Sequence, residues 1–162
     1  MRHGIAVDRA GTGANSDDRA RTLTPKGIKR MRKAAKGLLT LSLSFDRILA
    51  SPLERARQTA HIVAQALELE GRIEEIEQLA PDQSVQELLS ALGAYEREKN
   101  ILLIGHEPLL GSAVSFLLSG TAGAAIRLKK GSICCLEMNG VSSRERAILH
   151  WALTPKQLRL LA

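Results

Sequence analysis

The sequence predicts an α/β fold: a single-domain, three-layer α/β/α sandwich around a mostly parallel central sheet. Three observations carry that expectation. Short apolar runs, Arg47-Ile48-Leu49-Ala50 and Ile101-Leu102-Leu103-Ile104, have the character of strands buried on both faces. Amphipathic helical patterns with recognisable caps alternate with them. The 162 residues, 44% hydrophobic and 25% charged, have the length and composition of one globular domain, and no linker or repeat divides residues 1–162.

After Gly4, a polar stretch to about Arg21 that includes Gly11-Thr12-Gly13 reads as a loop. Thr24-Pro25 opens a helix, with Thr24 as N-cap, Pro25 at the first helical position, and Ile28, Met31, Ala35 and Leu38 as its apolar stripe. The lysines and arginines across 25–39 read as a solvated face. A strand over 47–50 runs into Ser51-Pro52-Leu53-Glu54, which has the pattern of a capping box, and a helix then extends to about Leu69. Residues 72–77 suit a polar-edged strand. Ser84-Val85-Gln86-Glu87 is a second capping box, with Val85, Leu88, Leu89 and Leu92 inward. The strand ending at Ile104 gives way to the turn Gly105-His106-Glu107. A helix then runs from Pro108 to about Leu118, ended by Gly120. Strands are expected near 124–129, 132–138 and 146–152, with Asn139-Gly140 as a hairpin turn, and Thr154-Pro155 opens a short terminal helix.

Composition excludes several classes. The net charge of +6, from 23 basic and 17 acidic residues, favours an anionic partner. The aromatic residues are only Phe45, Tyr95, Phe116 and Trp151, too few for a stacking surface, so nucleic acid is not that partner. No apolar run is long enough to span a bilayer and no secretory signal opens the chain, so no membrane partner and a cytoplasmic location are expected. Cys134 and Cys135 are sequence neighbours and would bridge only with strain, so they read as two reduced thiols. Neither they nor His3, His61, His106 and His150 have the spacing of a metal site, so no metal and no cofactor are expected. A monomer is expected.

Open α/β sheets bind ligands beyond the carboxyl ends of their strands. Arg55 falls in the first turn after strand 47–50, and His106 falls two residues after strand 100–104. Arg2-His3-Gly4 stands at the start of the chain. Two arginines and two histidines around one crevice point to phosphate chemistry. A guanidinium matches phosphoryl oxygens bidentately, and a neutral imidazole can attack phosphorus while a second stabilises the developing charge.

Those residues carry a resemblance. Arg2-His3-Gly4, the segment Ala50-Ser51-Pro52-Leu53-Glu54-Arg55-Ala56-Arg57-Gln58-Thr59-Ala60, Ile104-Gly105-His106-Glu107-Pro108 and Leu23-Thr24-Pro25-Lys26-Gly27 together resemble the histidine phosphatase superfamily, in the same order and spacing. The short length, with no room for a cap insertion, and the segments Lys129-Lys130-Gly131-Ser132 and Trp151-Ala152-Leu153-Thr154-Pro155 are most similar to its SixA-type branch. The resemblance implies a phosphoglycerate-mutase-like fold and a metal-independent protein phosphohistidine phosphatase. Its partner would be a histidine-phosphorylated signalling protein of the phosphotransfer-domain type. It implies His3 as nucleophile, Arg2 and Arg55 as phosphate clamps, and His106 as a phosphate ligand that stabilises the transition state. No dedicated acid is evident; Glu107, beside His106, is the nearest candidate, and a departing imidazole needs less acid assistance than an alkoxide. Asp17 and Asp18 read as solvated loop carboxylates. Arg57 lies about 200° around the helix from Arg55 and is expected at the surface, while His61 and His150 read as structural or surface residues.

One feature departs from the family. Its first strand precedes the arginine–histidine pair, whereas only Met1 precedes Arg2 here. The first strand is expected to be truncated at the N-terminus: either the true start lies upstream of Met1, or the chain lacks its central strand and the sheet has an open slot. Two rivals remain: a phosphatase of small phosphometabolites, and an inactive module that uses the phosphate pocket only for binding.

Overall fold

A computed structural model describes residues 1–8, 17–123, 126–140 and 145–162. In chain order these form α1 (Pro25–Leu39), β1 (Arg47–Ala50), α2 (Glu54–Leu67), β2 (Ile73–Glu75), α3 (Val85–Leu92), β3 (Ile101–Ile104), α4 (Leu109–Ser119), β4 (Ile133–Glu137), β5 (Ile148–Leu153) and α5 (Pro155–Leu160). The strands β2-β1-β3 make a parallel sheet, with Ile48 opposite both Ile73 and Leu102. β4 and β5 form an antiparallel pair with an irregularity between Cys135 and Leu136.

The N-terminal residues lie between the two sheets. The Met1 amino group donates to Leu103 O at 2.6 Å and Arg2 bridges Gly105 in parallel. On the other side Arg2 N donates to Ser132 O at 2.9 Å, and Gly131 N donates to Arg2 O at 3.1 Å. Residues 1–3 thus lie alongside the ends of β3 and β4, bringing His3 to the carboxyl ends of β1 and β3.

Two apolar clusters sandwich the sheet, giving the three layers. Met31, Ala35 and Leu38 of α1, Ala60 and Val63 of α2 and Leu158 of α5 cover one face of β1 and β3. Leu88 and Leu92 of α3 and Leu109, Leu110 and Ala113 of α4 meet Leu49 on the other. A fully buried leucine such as Leu38, Leu49 or Leu158 contributes about 1.5–3 kcal/mol. Gly27 lets the N-terminal segment lie flat on α1, because a Cβ there would stand 2.1 Å from Ile5 O.

Most helix starts are closed by local side chains. Thr24 accepts from Gly27 N, and Ser84 and Thr154 each form a full capping box. α2 differs from expectation: its N-cap is Leu53, with no side-chain cap bond. Ser51 is turned inward instead, accepting from Leu53 N and contacting His106. α2 stops at Leu67 because Glu68 takes the left-handed conformation.

The strand expected near 124–129 is not one. Residues 124 and 125 lie outside the described residues, and 126–129 are irregular. Leu128 is buried, but its backbone is satisfied by side chains rather than by a neighbouring strand. Its N–H donates to Glu107 Oε1 at 3.2 Å and its carbonyl accepts from Arg2 Nη1 at 2.8 Å. The expected loop after Gly4 falls largely on residues 9–16, also outside the described residues. Among the described residues no helix is long and apolar enough to cross a membrane.

Candidate active site

At the carboxyl ends of β1 and β3 a crevice of about 260 Å³ is lined by Arg2, His3, Ala6, Asp18, Arg21, Arg55, Pro81, His106, Glu107 and Lys130. The structure therefore brings together all five residues singled out from the sequence: Arg2, His3, Arg55, His106 and Glu107. It adds three charged residues not singled out for chemistry, Asp18, Arg21 and Lys130.

His3 is buried, and its imidazole lies 4.9 Å from that of His106, centroid to centroid, at an interplanar angle of 50°. His3 Nδ1 sits 2.7 Å from Gly4 O. A carbonyl only accepts, so Nδ1 carries the hydrogen and the neutral ring keeps its lone pair on Nε2. The turn that presents His3 is itself fixed: Gly4 N donates to Thr59 Oγ1 of α2 at 3.0 Å, and Thr59 in turn donates to Arg55 O.

His106 Nε2 lies 2.9 Å from Ser51 Oγ, while its Nδ1 is buried and has no hydrogen-bond partner among the described residues. In the tautomer whose Nε2 accepts from the Ser51 hydroxyl, Nδ1 carries the hydrogen, a donor suited to an anionic oxygen.

Arg55 is 3% exposed. Its Nη1 donates to Asp18 O at 2.7 Å and its Nη2 to Asp18 Oδ2 at 3.0 Å. The other oxygen of that carboxylate accepts from Arg21, Nε at 2.8 Å and Nη2 at 2.7 Å. Asp18 thus spans two guanidiniums, which corrects the expectation of a solvated loop carboxylate. The short turn that carries it is anchored by a two-bond pair, Arg19 to Glu77, at 2.9 Å each.

Glu107 accepts from Leu128 N and is hydrogen-bonded by the amide of Gly111 in the first turn of α4. Gly111 is required there, since a Cβ would stand 2.8 Å from Glu107 Oε2 and 2.4 Å from Ile126 O. Burial pushes the Glu107 carboxyl above its ordinary range, with the two amides and Arg2 opposing.

Burial also dominates the histidines. It pushes His3 down to about 3, with Arg55 and Arg2 adding to the shift and the Gly4 carbonyl opposing it. His106 falls to about 2, through burial first and then the proximity of His3 and Arg55. Both rings are neutral in the folded protein at pH values where the unfolded chain's imidazoles, near 6.5, take up protons. The unfolded state then binds more protons, so stability is full above about pH 6.5 and declines as pH falls towards 3. The melting temperature is expected to drop between about pH 7 and pH 4, and to drop less in the double variant His3→Asn, His106→Asn. Parallel declines in both proteins would remove these histidines as the source.

Outside the crevice, Arg57 is exposed and bound to Glu75 and Glu54. His61 is exposed on α2, and His150 is exposed beside Glu137. Cys134 and Cys135 are free, half-buried residues of β4. Among the described residues no group of three or more His, Cys, Asp or Glu could hold a metal ion.

A buried neutral imidazole facing guanidiniums, a second imidazole and a lysine makes a site for a tetrahedral oxyanion. Comparison with known proteins agrees. Residues 1–81 match the Histidine phosphatase superfamily (branch 1). The chain is 39% identical, over 72% of its length and 74% of the relative's, to a phosphohistidine phosphatase SixA homologue of Haemophilus influenzae. It is 29% identical to phosphohistidine phosphatase SixA of Escherichia coli, over 99% of this chain and 94% of that one. A solved structure of the protein histidine phosphatase SixA complexed with tungstate superposes with a TM-score of 0.82 at 28% identity, covering 98% of this chain and 96% of that chain. The phosphoglycerate-mutase-like α/β fold and the residues gathered at its sheet end thus have one account: the chain belongs to the histidine phosphatase superfamily.

Proposed function

We propose that the protein is a protein phosphohistidine phosphatase that removes the phosphoryl group from a histidine-phosphorylated signalling protein through a phospho-His3 intermediate. The observation that carries this reading is the fixed tautomer of His3. The Nδ1–H bond to Gly4 O leaves the lone pair on Nε2, in a crevice lined with cations. The resemblance to SixA proteins, one of them solved with the oxyanion tungstate, supports the substrate class.

In the first step His3 Nε2 attacks phosphorus and the P–N bond of the substrate breaks. Arg2 and Arg55 hold the equatorial oxygens, and His106 Nδ1–H donates to one of them. The departing imidazole nitrogen takes a proton from Glu107, whose carboxyl is pushed upward by burial. In the second step water attacks phosphorus, the P–Nε2 bond breaks and inorganic phosphate leaves. The water proton returns to Glu107, and His3 recovers its neutral form. Guanidinium and imidazolyl donors supply the charge stabilisation, so the scheme uses no metal.

The test is phosphate release from a histidine-phosphorylated phosphotransfer domain. Release is expected from the wild type and not from His3→Ala. Turnover of small phosphomonoesters with none of the phosphoprotein would move the assignment to a metabolite phosphatase. Phosphate binding without any turnover would make the chain a binding module.

Asp18 has a consequence of its own. Its carboxylate contacts the guanidinium that is to hold the phosphoryl group, and so competes with it. Asp18→Asn keeps the backbone contact to Arg55 but removes the negative charge. Inhibition by inorganic phosphate is expected to tighten by about tenfold, the value of one partly screened charge contact. An unchanged or weaker inhibition constant would mean that Asp18 orients Arg55 rather than opposing the substrate.

A further inference from the structure

Beside the catalytic crevice lies a larger groove, of about 550 Å³, that shares Arg2 and Lys130 with it. Its walls include the apolar residues Ile5, Met31 and Pro155. Arg30 from α1, Lys129 from the segment before β4, and Lys156 and Arg159 from α5 also line it. Among the described residues no carboxylate does. Among the described residues none of these four cations enters an ion pair. Three arginines elsewhere do have carboxylate partners: Arg19 with Glu77, Arg47 with Glu98 and Arg57 with Glu75. Unneutralised like charge held together costs self-repulsion and creates a local positive potential, which is what an anionic partner would relieve.

We propose that this groove docks an acidic segment of the phosphoprotein substrate and so delivers its phosphohistidine to His3. The proposal rests on the phosphohistidine phosphatase reading and names how that substrate is held. Charge complementarity selects the occupant, since four cations with no intervening carboxylate suit glutamates and aspartates. Position selects its purpose. Gly4 lines the groove while the adjacent His3 lines the crevice, and Arg2 and Lys130 face both. A segment seated in the groove therefore lies one residue from the nucleophile. Among the described residues no aromatic side chain lines the groove, so the bases of a nucleic acid would find no stacking surface there.

Two charge-reversal variants test this without touching the crevice: Arg30→Glu with Lys156→Glu, and Lys129→Glu with Arg159→Glu. Each is assayed on a histidine-phosphorylated phosphotransfer domain and on free phosphohistidine, after circular dichroism confirms folding. The expected result is a loss of about tenfold or more in kcat/KM on the protein substrate, an effect that salt suppresses, with free phosphohistidine turned over as by the wild type. Equal losses on both substrates, or none on either, would overturn the proposal. In parallel, a fluorescein-labelled oligoglutamate peptide is titrated onto the wild type and both variants. Binding that both reversals weaken supports the groove; no binding, or tighter binding of a single-stranded oligonucleotide, overturns it. If the wild type hydrolyses no phosphohistidine at all, the functional reading fails, and the peptide titration alone decides the groove.

Discussion

His3→Ala is expected to lower turnover of a phosphohistidine substrate by roughly 10⁴- to 10⁶-fold, the scale on which covalent nucleophiles act. The cause is geometric. Only Nε2 of His3 combines a lone pair with a fixed ring orientation, because Nδ1–H is committed to Gly4 O at 2.7 Å. His106 is not equivalent, because its Nε2 is occupied by the Ser51 hydroxyl at 2.9 Å. The ring of His3 is also neutral far below ordinary histidine pH values, so the nucleophile needs no base to activate it. Activity measured as kcat/KM should therefore show no acid limb near pH 6.5 from this residue. A quench experiment makes the intermediate visible. Radiolabelled phosphate from the substrate should remain on the wild-type chain as an acid-labile, base-stable label and be absent from His3→Ala. Label retained by the variant, or turnover within tenfold of wild type, would remove His3 from the chemistry. Because the variant deletes a buried ring, its circular dichroism and melting profile must accompany the assay.

Much of this site is readable in the sequence because its parts obey local rules. Thr24-Pro25 and the capping box at Ser84 each satisfy a helix end within four residues and form as the pattern implies, and Thr154-Pro155 opens the terminal helix, where the structure adds a capping box. Arg55 and His106 come directly after short buried strands, and parallel strands aim their trailing residues at one edge of the sheet. The features that escape a sequence reading depend on contacts between distant positions. Asp18 is fixed by Arg55, 37 residues away, and nothing local distinguishes it from a solvated carboxylate. Ser51 has the spacing of a capping residue, yet the competing partner is His106, 55 residues on, and the buried imidazole takes it. The apolar pattern around Leu128 suggests a strand; the Glu107 carboxylate and the Arg2 guanidinium satisfy its backbone from 21 and 126 residues away. The groove cations are likewise scattered over α1, the segment before β4 and α5, and only the fold gathers them.

Arg55→Ala is expected to cost about 10²- to 10³-fold in kcat/KM, comparable to deleting one preorganised donor from an oxyanion site. Arg55 is almost fully buried at 3% exposure, where a positive charge is tolerated only against a negative partner. Asp18 provides that partner in the structure, through a carboxylate contact at 3.0 Å and a backbone contact at 2.7 Å. A phosphoryl group offers two or three oxygens to the same planar fork, so its gain over the single carboxylate oxygen should appear in substrate and transition-state binding together. Arg55→Lys separates charge from geometry. Lysine keeps the charge as a point donor but cannot grip two oxygens in one plane, so it should restore less than about tenfold of the loss. Arg57→Ala is the internal control. That side chain is exposed, pairs with Glu75 and Glu54, and projects about 200° around α2 from Arg55, so its removal should leave kcat/KM near wild type. Equal effects at the two positions would mean that net positive charge, and not a positioned guanidinium, recruits the phosphoryl group. A large loss at Arg55 alone, rescued poorly by lysine, would locate the phosphate at the head of α2, between His3 and His106.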